Sequence, residues 1–135
     1  MDDVYSEIIL DLYHNPVNQG EVKDYDFKGD GGNPSCGDLI VITVKVSGNK
    51  VEDIKFQSKG CAISTASASL LTEEVMGKTL EEVKRMQDKD VIDNLGGIIQ
   101  TRIKCALLPK ITLQKVIEAW EKQGKKAGFE LKVRV

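Results

Sequence analysis

The chain has 135 residues, 41% of them hydrophobic and 30% charged, with a formal net charge of −2. That length suits a single core, and the composition excludes a disordered or low-complexity protein. The balance of charge gives no general attraction to nucleic acid, and the longest apolar run, Leu39-Ile-Val-Ile42, falls far short of the roughly 20 residues that span a bilayer.

The acidic start, Met1-Asp2-Asp3-Val4-Tyr5, has no basic region leading into an apolar stretch, so a cytoplasmic protein with no membrane partner is expected. Val4, Ile8 and Leu12 then fall at four-residue steps with Ile9 beside them, which predicts a helix stopped by His14-Asn15-Pro16. His14, the sole histidine, reads as a cap or surface group. Asp24 to Lys28 is expected to form an edge strand. Gly29, Gly31 and Gly32 with Pro34 read as a turned or movable segment that leads to Cys36.

Two β-branched runs, Leu39 to Val46 and Lys50 to Gln57, flank Ser47-Gly48-Asn49 and predict a hairpin, so three antiparallel strands make the simplest sheet. From Gly60 the pattern turns helical as far as Met76-Gly77, with small residues that suit close packing on the sheet. Thr79-Leu80-Glu81-Glu82 carries the signature of a capped helix start, and Asp90 to Leu95 forms another short helix. A last long helix is expected from about Leu107 to Lys122, with Pro109 in its first turn and Leu113, Val116, Ile117 and Trp120 on one face. The alternating segment from Phe129 to Val135 reads equally as an added strand or a loose tail. The organisation expected is therefore one domain over residues 1–124 followed by a strand or tail over 125–135.

Three cysteines, an odd number with no C-x-x-C pair, make no disulfide framework in a reducing compartment; they are either buried free thiols or ligands. Cys36 lies in Asn33-Pro34-Ser35-Cys36-Gly37-Asp38, Cys61 follows Gly60 at a helix start, and Cys105 precedes the last helix. All three read as loop or terminus positions. A helix N-terminus favours the thiolate that binds metal, and two of the three have that setting. Their separations, 61 − 36 = 25 and 105 − 61 = 44 residues, match no zinc-finger spacing. On the residues alone, a shared metal or sulfur site and three small buried hydrophobes both stay open.

Four stretches go further: Tyr13-His-Asn-Pro-Val-Asn18, Gly32-Asn-Pro-Ser-Cys-Gly-Asp38, Phe56-Gln-Ser-Lys-Gly-Cys-Ala-Ile-Ser-Thr-Ala-Ser-Ala-Ser-Leu70 and Arg102-Ile-Lys-Cys-Ala106. Together they resemble the U-type iron–sulfur cluster assembly scaffolds, the IscU, NifU N-terminal and SufU group. The resemblance implies an α+β fold of the SufE/IscU type, a three-stranded antiparallel sheet packed by helices. It implies that Cys36, Asp38, Cys61 and Cys105 converge at one end as ligands of iron or of a labile [2Fe–2S] cluster, with zinc in the cluster-free form. It also implies a cysteine desulfurase as sulfur donor, iron–sulfur apoproteins as acceptors and a homodimer that shares or stabilises the cluster, in a carrier rather than an enzyme. An oxygen ligand such as Asp38 suits a scaffold, because clusters prefer thiolate and are released more easily from a harder donor.

Two departures from that pattern bear on function. Lys104 stands where bacterial housekeeping scaffolds carry histidine, which resembles the zinc-dependent sulfurtransferase branch. A cation there lowers thiolate pKa and stabilises an anionic cluster from outside the ligand set, or is simply solvated. That branch, however, carries an insertion between its second and third cysteines that is not seen here. Ile98-Ile-Gln-Thr-Arg102 replaces the Leu-Pro-Pro-Val-Lys segment bound by a dedicated Hsp70 chaperone, so chaperone-assisted transfer is not expected. Tyr5 resembles the family's N-terminal tyrosine, a partner contact or a packed helix residue.

Overall fold

A computed structural model describes residues 6–35, 37–98 and 100–135. In chain order the elements are α1 (Glu7–His14), β1 (Phe27–Asn33), β2 (Asp38–Ser47), β3 (Lys50–Lys59), α2 (Ala62–Val75), α3 (Leu80–Lys84), α4 (Asp88–Asn94), a 3-10 turn (Gln100–Arg102), α5 (Ile103–Lys122) and β4 (Phe129–Arg134). Among the described residues no helix is long and apolar enough to cross a membrane.

The local signals account for most boundaries. Ser6 caps α1 by accepting the Ile9 N–H. Thr79 and Glu82 close a reciprocal capping box at the start of α3, and its hydrogen bonds hold the Glu82 carboxyl below the usual glutamate range. Gly48 and Asn49, both at positive φ, make the tight connection between β2 and β3.

The single α+β domain departs from the expected three antiparallel strands, because its sheet has four strands in the order β3-β2-β1-β4 and is mixed. β1–β2 and β2–β3 are antiparallel, with Asn33 opposite Asp38 and Leu39 opposite Lys59 at one end. β4 adds parallel to the outer edge of β1, placing Phe129 opposite Phe27 and Arg134 opposite Gly32. The physical reason is twofold. β1 would otherwise expose a row of unpaired backbone groups, and Phe129, Leu131 and Val133 pack against or into the core that α5 covers.

α2 and α5 lie on one face of the sheet. The main core gathers Phe27, Ile42, Ile54, Phe56, Leu108 and Trp120. A second apolar cluster joins α1, α2, α4 and α5 through Ile9, Ile63, Leu95 and Ala106, and it includes Cys105. Burying α2 on all sides requires partners for its hydroxyls. Ser67 donates to the Ala106 carbonyl at 2.5 Å, the Ser58 and Thr65 hydroxyls bond at 2.9 Å, and Ser69 accepts the Val17 N–H.

Gly29, Gly31 and Gly32 belong to β1 and not to a movable loop, and α5 explains the first two. A Cβ at Gly29 would lie 2.9 Å from Thr112 Cγ2, and one at Gly31 would overlap the Thr112 hydroxyl. The helix backbone therefore sits closer to β1 than any other residue would allow. Gly32 faces the opposite side of the sheet, where an added Cβ would meet only the flexible end of Arg134 and Leu39, at 3.2–3.3 Å. Gly31→Ala is accordingly expected to lower stability by about 1–3 kcal/mol through overpacking, whereas Gly32→Ala stays within about 0.5 kcal/mol. Urea midpoints of the two variants check the difference, and equal losses would contradict this account of the helix contact.

Candidate functional site

Three chain reversals meet at one end of the sheet. The β1–β2 connection ends on Asp38, the first residue of β2; β3 runs through Gly60 to Cys61, the N-cap of α2; and the 3-10 turn leads into α5 with Cys105 in its first turn. The last helix starts at Ile103, earlier than the expected Leu107, so Cys105 is a helical residue and does not precede the helix. Pro109 lies within α5 and has no N–H to give the carbonyl of Cys105, four residues back.

One ligand atom from each of Asp38, Cys61 and Cys105 lies within 4.8 Å of the others. A tetrahedral zinc ion, with bonds of about 2.0–2.3 Å, needs its donors about 3.5 Å apart, so these three lie within roughly 1 Å of the spacing such an ion requires. Two thiol sulfurs and a carboxylate are a donor set that suits zinc or iron.

Asp38 is 2% exposed, a costly position for a carboxylate unless hydrogen bonds replace water. Its Oδ1 accepts the backbone N–H of Cys61 at 2.9 Å, and its Oδ2 lies 3.6 Å from Cys61 Sγ. That bond fastens the start of β2 to the start of α2. Ser64, one turn into α2, donates to the Cys61 carbonyl at 3.1 Å and keeps its hydroxyl 3.8 Å from the Cys61 sulfur. Cys105 is also 2% exposed, with the second apolar cluster behind it, while Cys61 is half-buried.

The structure thus brings together Asp38, Cys61 and Cys105, three of the four ligand positions expected from the motifs. Cys36, the fourth, and Tyr5 lie outside the described residues. Lys104 is exposed and stands beside Cys105 on the rim of a cleft of about 560 Å³, whose lining includes Asn33, Ser35, Arg102 and Cys105. His14 ends α1 with its ring 5.2 Å from that of Tyr13, consistent with a surface role.

Sequence reasoning overlooked three positioning residues. Asn33 is buried and shapes the loop before Asp38: its side chain accepts the Ser35 N–H at 3.2 Å and its carbonyl accepts the Gly37 N–H at 2.9 Å. Ser64 has only its i+3 spacing from Cys61 as a signal. Gly60 is the third, since a Cβ there would overlap the Asp38 carboxylate and lie 3.1 Å from the Asp38 Cα.

The profile of the NifU-like N-terminal domain family matches residues 4–127. An iron–sulfur cluster assembly scaffold protein IscU of Archaeoglobus fulgidus is 40% identical over 123 residues, covering 90% of this chain and 80% of that protein. The crystal structure of a proposed SUF-system scaffold protein from Fervidobacterium islandicum is 31% identical and superposes with a TM-score of 0.73 over 84% of this chain and 96% of its own. The zinc-dependent sulfurtransferase SufU of Bacillus subtilis is 41% identical over 51 residues, a stretch of 38% of this chain and 34% of that protein.

Gly60→Ala is expected to cost about 1–3 kcal/mol by overpacking against Asp38. In an Asp38→Ala background the added methyl meets far less, so a double-mutant cycle should show a coupling of about 1 kcal/mol or more. Denaturant titration of the four proteins measures it, and additive losses would refute the contact.

Proposed function

This chain belongs to the NifU-like N-terminal domain family, and we propose that it serves as a scaffold on which iron–sulfur clusters are assembled and from which they are passed on. The observation that carries the reading is the convergence of Asp38, Cys61 and Cys105 within 4.8 Å, drawn from three separate segments to one end of the sheet. Its similarity to IscU-type scaffold proteins over most of its length supports the same reading.

In this scheme the cluster is cargo. Cys36, Cys61 and Cys105 supply thiolates, Asp38 supplies an oxygen, and a [2Fe–2S] unit forms on them from iron and from sulfur delivered by a cysteine desulfurase. The chain's own contribution is to hold these donors and to keep one of them weak. A carboxylate holds iron less firmly than a thiolate does, and Asp38 already shares its charge with the Cys61 N–H. Acceptor apoproteins, which offer a full thiolate set, then draw the cluster away. Lys104, outside the ligand set, offsets part of the anionic charge.

A second reading has support of its own. Lys104 and the similarity of 51 residues to a zinc-dependent sulfurtransferase favour a zinc-bound site that accepts persulfide sulfur and donates it onward. In that case zinc would rest on the same four residues and act by holding the thiolates ready.

Anaerobic purification followed by iron, acid-labile sulfide and zinc analysis separates the two. The scaffold reading expects uptake of iron and sulfide that falls sharply in Cys61→Ala and Cys105→Ala. Tightly held zinc with no capacity for iron and sulfide would leave the sulfurtransferase reading instead. Asp38→Ala, folded by circular dichroism, should keep its cluster several-fold longer in air than the parent protein. Equal or faster bleaching of the visible absorption would contradict the role given to the carboxylate.

A further inference from the structure

β4 covers the edge of β1 and by doing so becomes an edge itself. It lies beyond residues 4–127, the span of the family match, so the scaffold reading gives it no task. Its parallel ladder turns the N–H and C=O groups of Phe129, Leu131 and Val133 toward β1, as the bond from the Phe129 N–H to the Asp26 carbonyl shows, and leaves those of Glu130, Lys132 and Arg134 on the outer side. Among the described residues no hydrogen bond reaches these outward groups. The opposite edge of the sheet is treated differently, because Asn18 and Gly20 bond to the backbone of Phe56, and Gly77 and Lys78 to that of Val51. Natural proteins often guard an open edge with charge, and Glu130, Lys132 and Arg134 are all exposed. The order of their signs, however, makes the strand complementary to itself.

We propose that β4 is a self-pairing edge, on which a second copy of this chain lays its own β4 antiparallel, so that two four-stranded sheets join into one of eight. Centred on Leu131, the pairing sets Glu130 opposite Lys132 of the second copy, and two-fold symmetry repeats the pair. The Tyr25 hydroxyl donates to Glu130 Oε2 at 2.6 Å and leaves the other carboxylate oxygen for that lysine. On the helix side Leu131 meets Leu131 and Phe129 meets Val133, which covers Phe129 and Leu131 where their own chain leaves them half-buried. Centred on Lys132 instead, the strand would place that lysine against itself. It would also draw Arg134 from the Asp30 and Val133 carbonyls, to which its guanidinium donates at 3.3 and 2.9 Å. The charge pattern thus selects one register. A six-residue pairing covers less than the roughly 1,200–2,000 Å² of a stable interface, so the association is weak and depends on concentration. The proposal rests on the sheet edge and not on the scaffold reading. β1 and β4 run parallel toward the end that holds Asp38, Cys61 and Cys105, so antiparallel pairing sends the two donor groups to opposite ends of the joined sheet, on the order of 30 Å apart by strand spacing and rise. Each copy keeps a site of its own, and no cluster is shared between them.

The test uses the full chain, reduced and free of metal, so that neither a disulfide nor a shared ion can join two copies. In sedimentation velocity between about 10 and 500 µM, the mass should rise from that of one chain toward that of two. Over the same range, amide hydrogen exchange at Glu130, Lys132 and Arg134 should slow. Glu130→Lys and Lys132→Glu change exposed side chains and should stay folded by circular dichroism. Each alone sets like charges opposite one another and should weaken self-association by about tenfold. An equimolar mixture of the two variants restores opposite charges at both positions and should recover the association of the parent chain. A single chain at every concentration, or association that leaves those three amides unprotected, would overturn the proposal. So would a Lys132→Glu protein that associates like the parent, or a mixture no stronger than its components.

Discussion

The close seating of α5 on β1 governs the rest of the molecule. Thr112 and Val116 occupy the space that side chains at positions 29 and 31 would take, and the helix is thereby held at one depth against the strand. β1 runs on to the loop that presents Asp38, and α5 begins with the turn that presents Cys105. Fixing one element against the other fixes the separation of two donors that lie 105 − 38 = 67 residues apart in the chain. Packed interiors do not deform continuously, so a contact two turns into the helix acts on the site at its end.

The third donor is tied in by polar rather than apolar forces. Asp38 is buried, and a buried carboxylate must be satisfied. By accepting the N–H of Cys61, the N-cap of α2, it ties the start of that helix to β2, whereas the N–H groups of the first turn receive no bond from the Cys61 side chain. Gly60 leaves the room that this bond needs. One carboxylate thus serves a structural end with one oxygen and stands beside the cysteine sulfur with the other.

The two sides of the site differ in the same spirit. Ile63, Leu95 and Ala106 form an apolar backing that excludes water from Cys105. On the cleft side the neighbours are polar and cationic. Thiolates and anionic clusters are stabilised by the second environment and protected by the first, and the placement of both against a single cysteine follows from α5 having its N-terminus at the boundary between core and solvent.

Much of this was legible in the chain itself. The β2–β3 hairpin followed from β-branched runs around Gly48 and Asn49 and the capping box at Thr79 from a four-residue pattern, both local signals written in neighbouring residues. The grouping of Asp38, Cys61 and Cys105 was open on the residues alone and came only from the resemblance of their motifs to a known family. What remained hidden depended on partners distant in sequence. Gly29 and Gly31 looked like loop glycines because their need for smallness comes from Thr112, and nothing beside Gly60 in the chain shows that its own comes from Asp38. The segment from Phe129 could not be assigned, since strand and tail differ only in whether β1 offers a free edge. The sequence by itself determined which residues are candidates to hold metal or sulfur; only the tertiary structure decided the spacing and burial of Asp38, Cys61 and Cys105 and the cleft beside them, because those quantities arise from contacts between segments that no local pattern encodes.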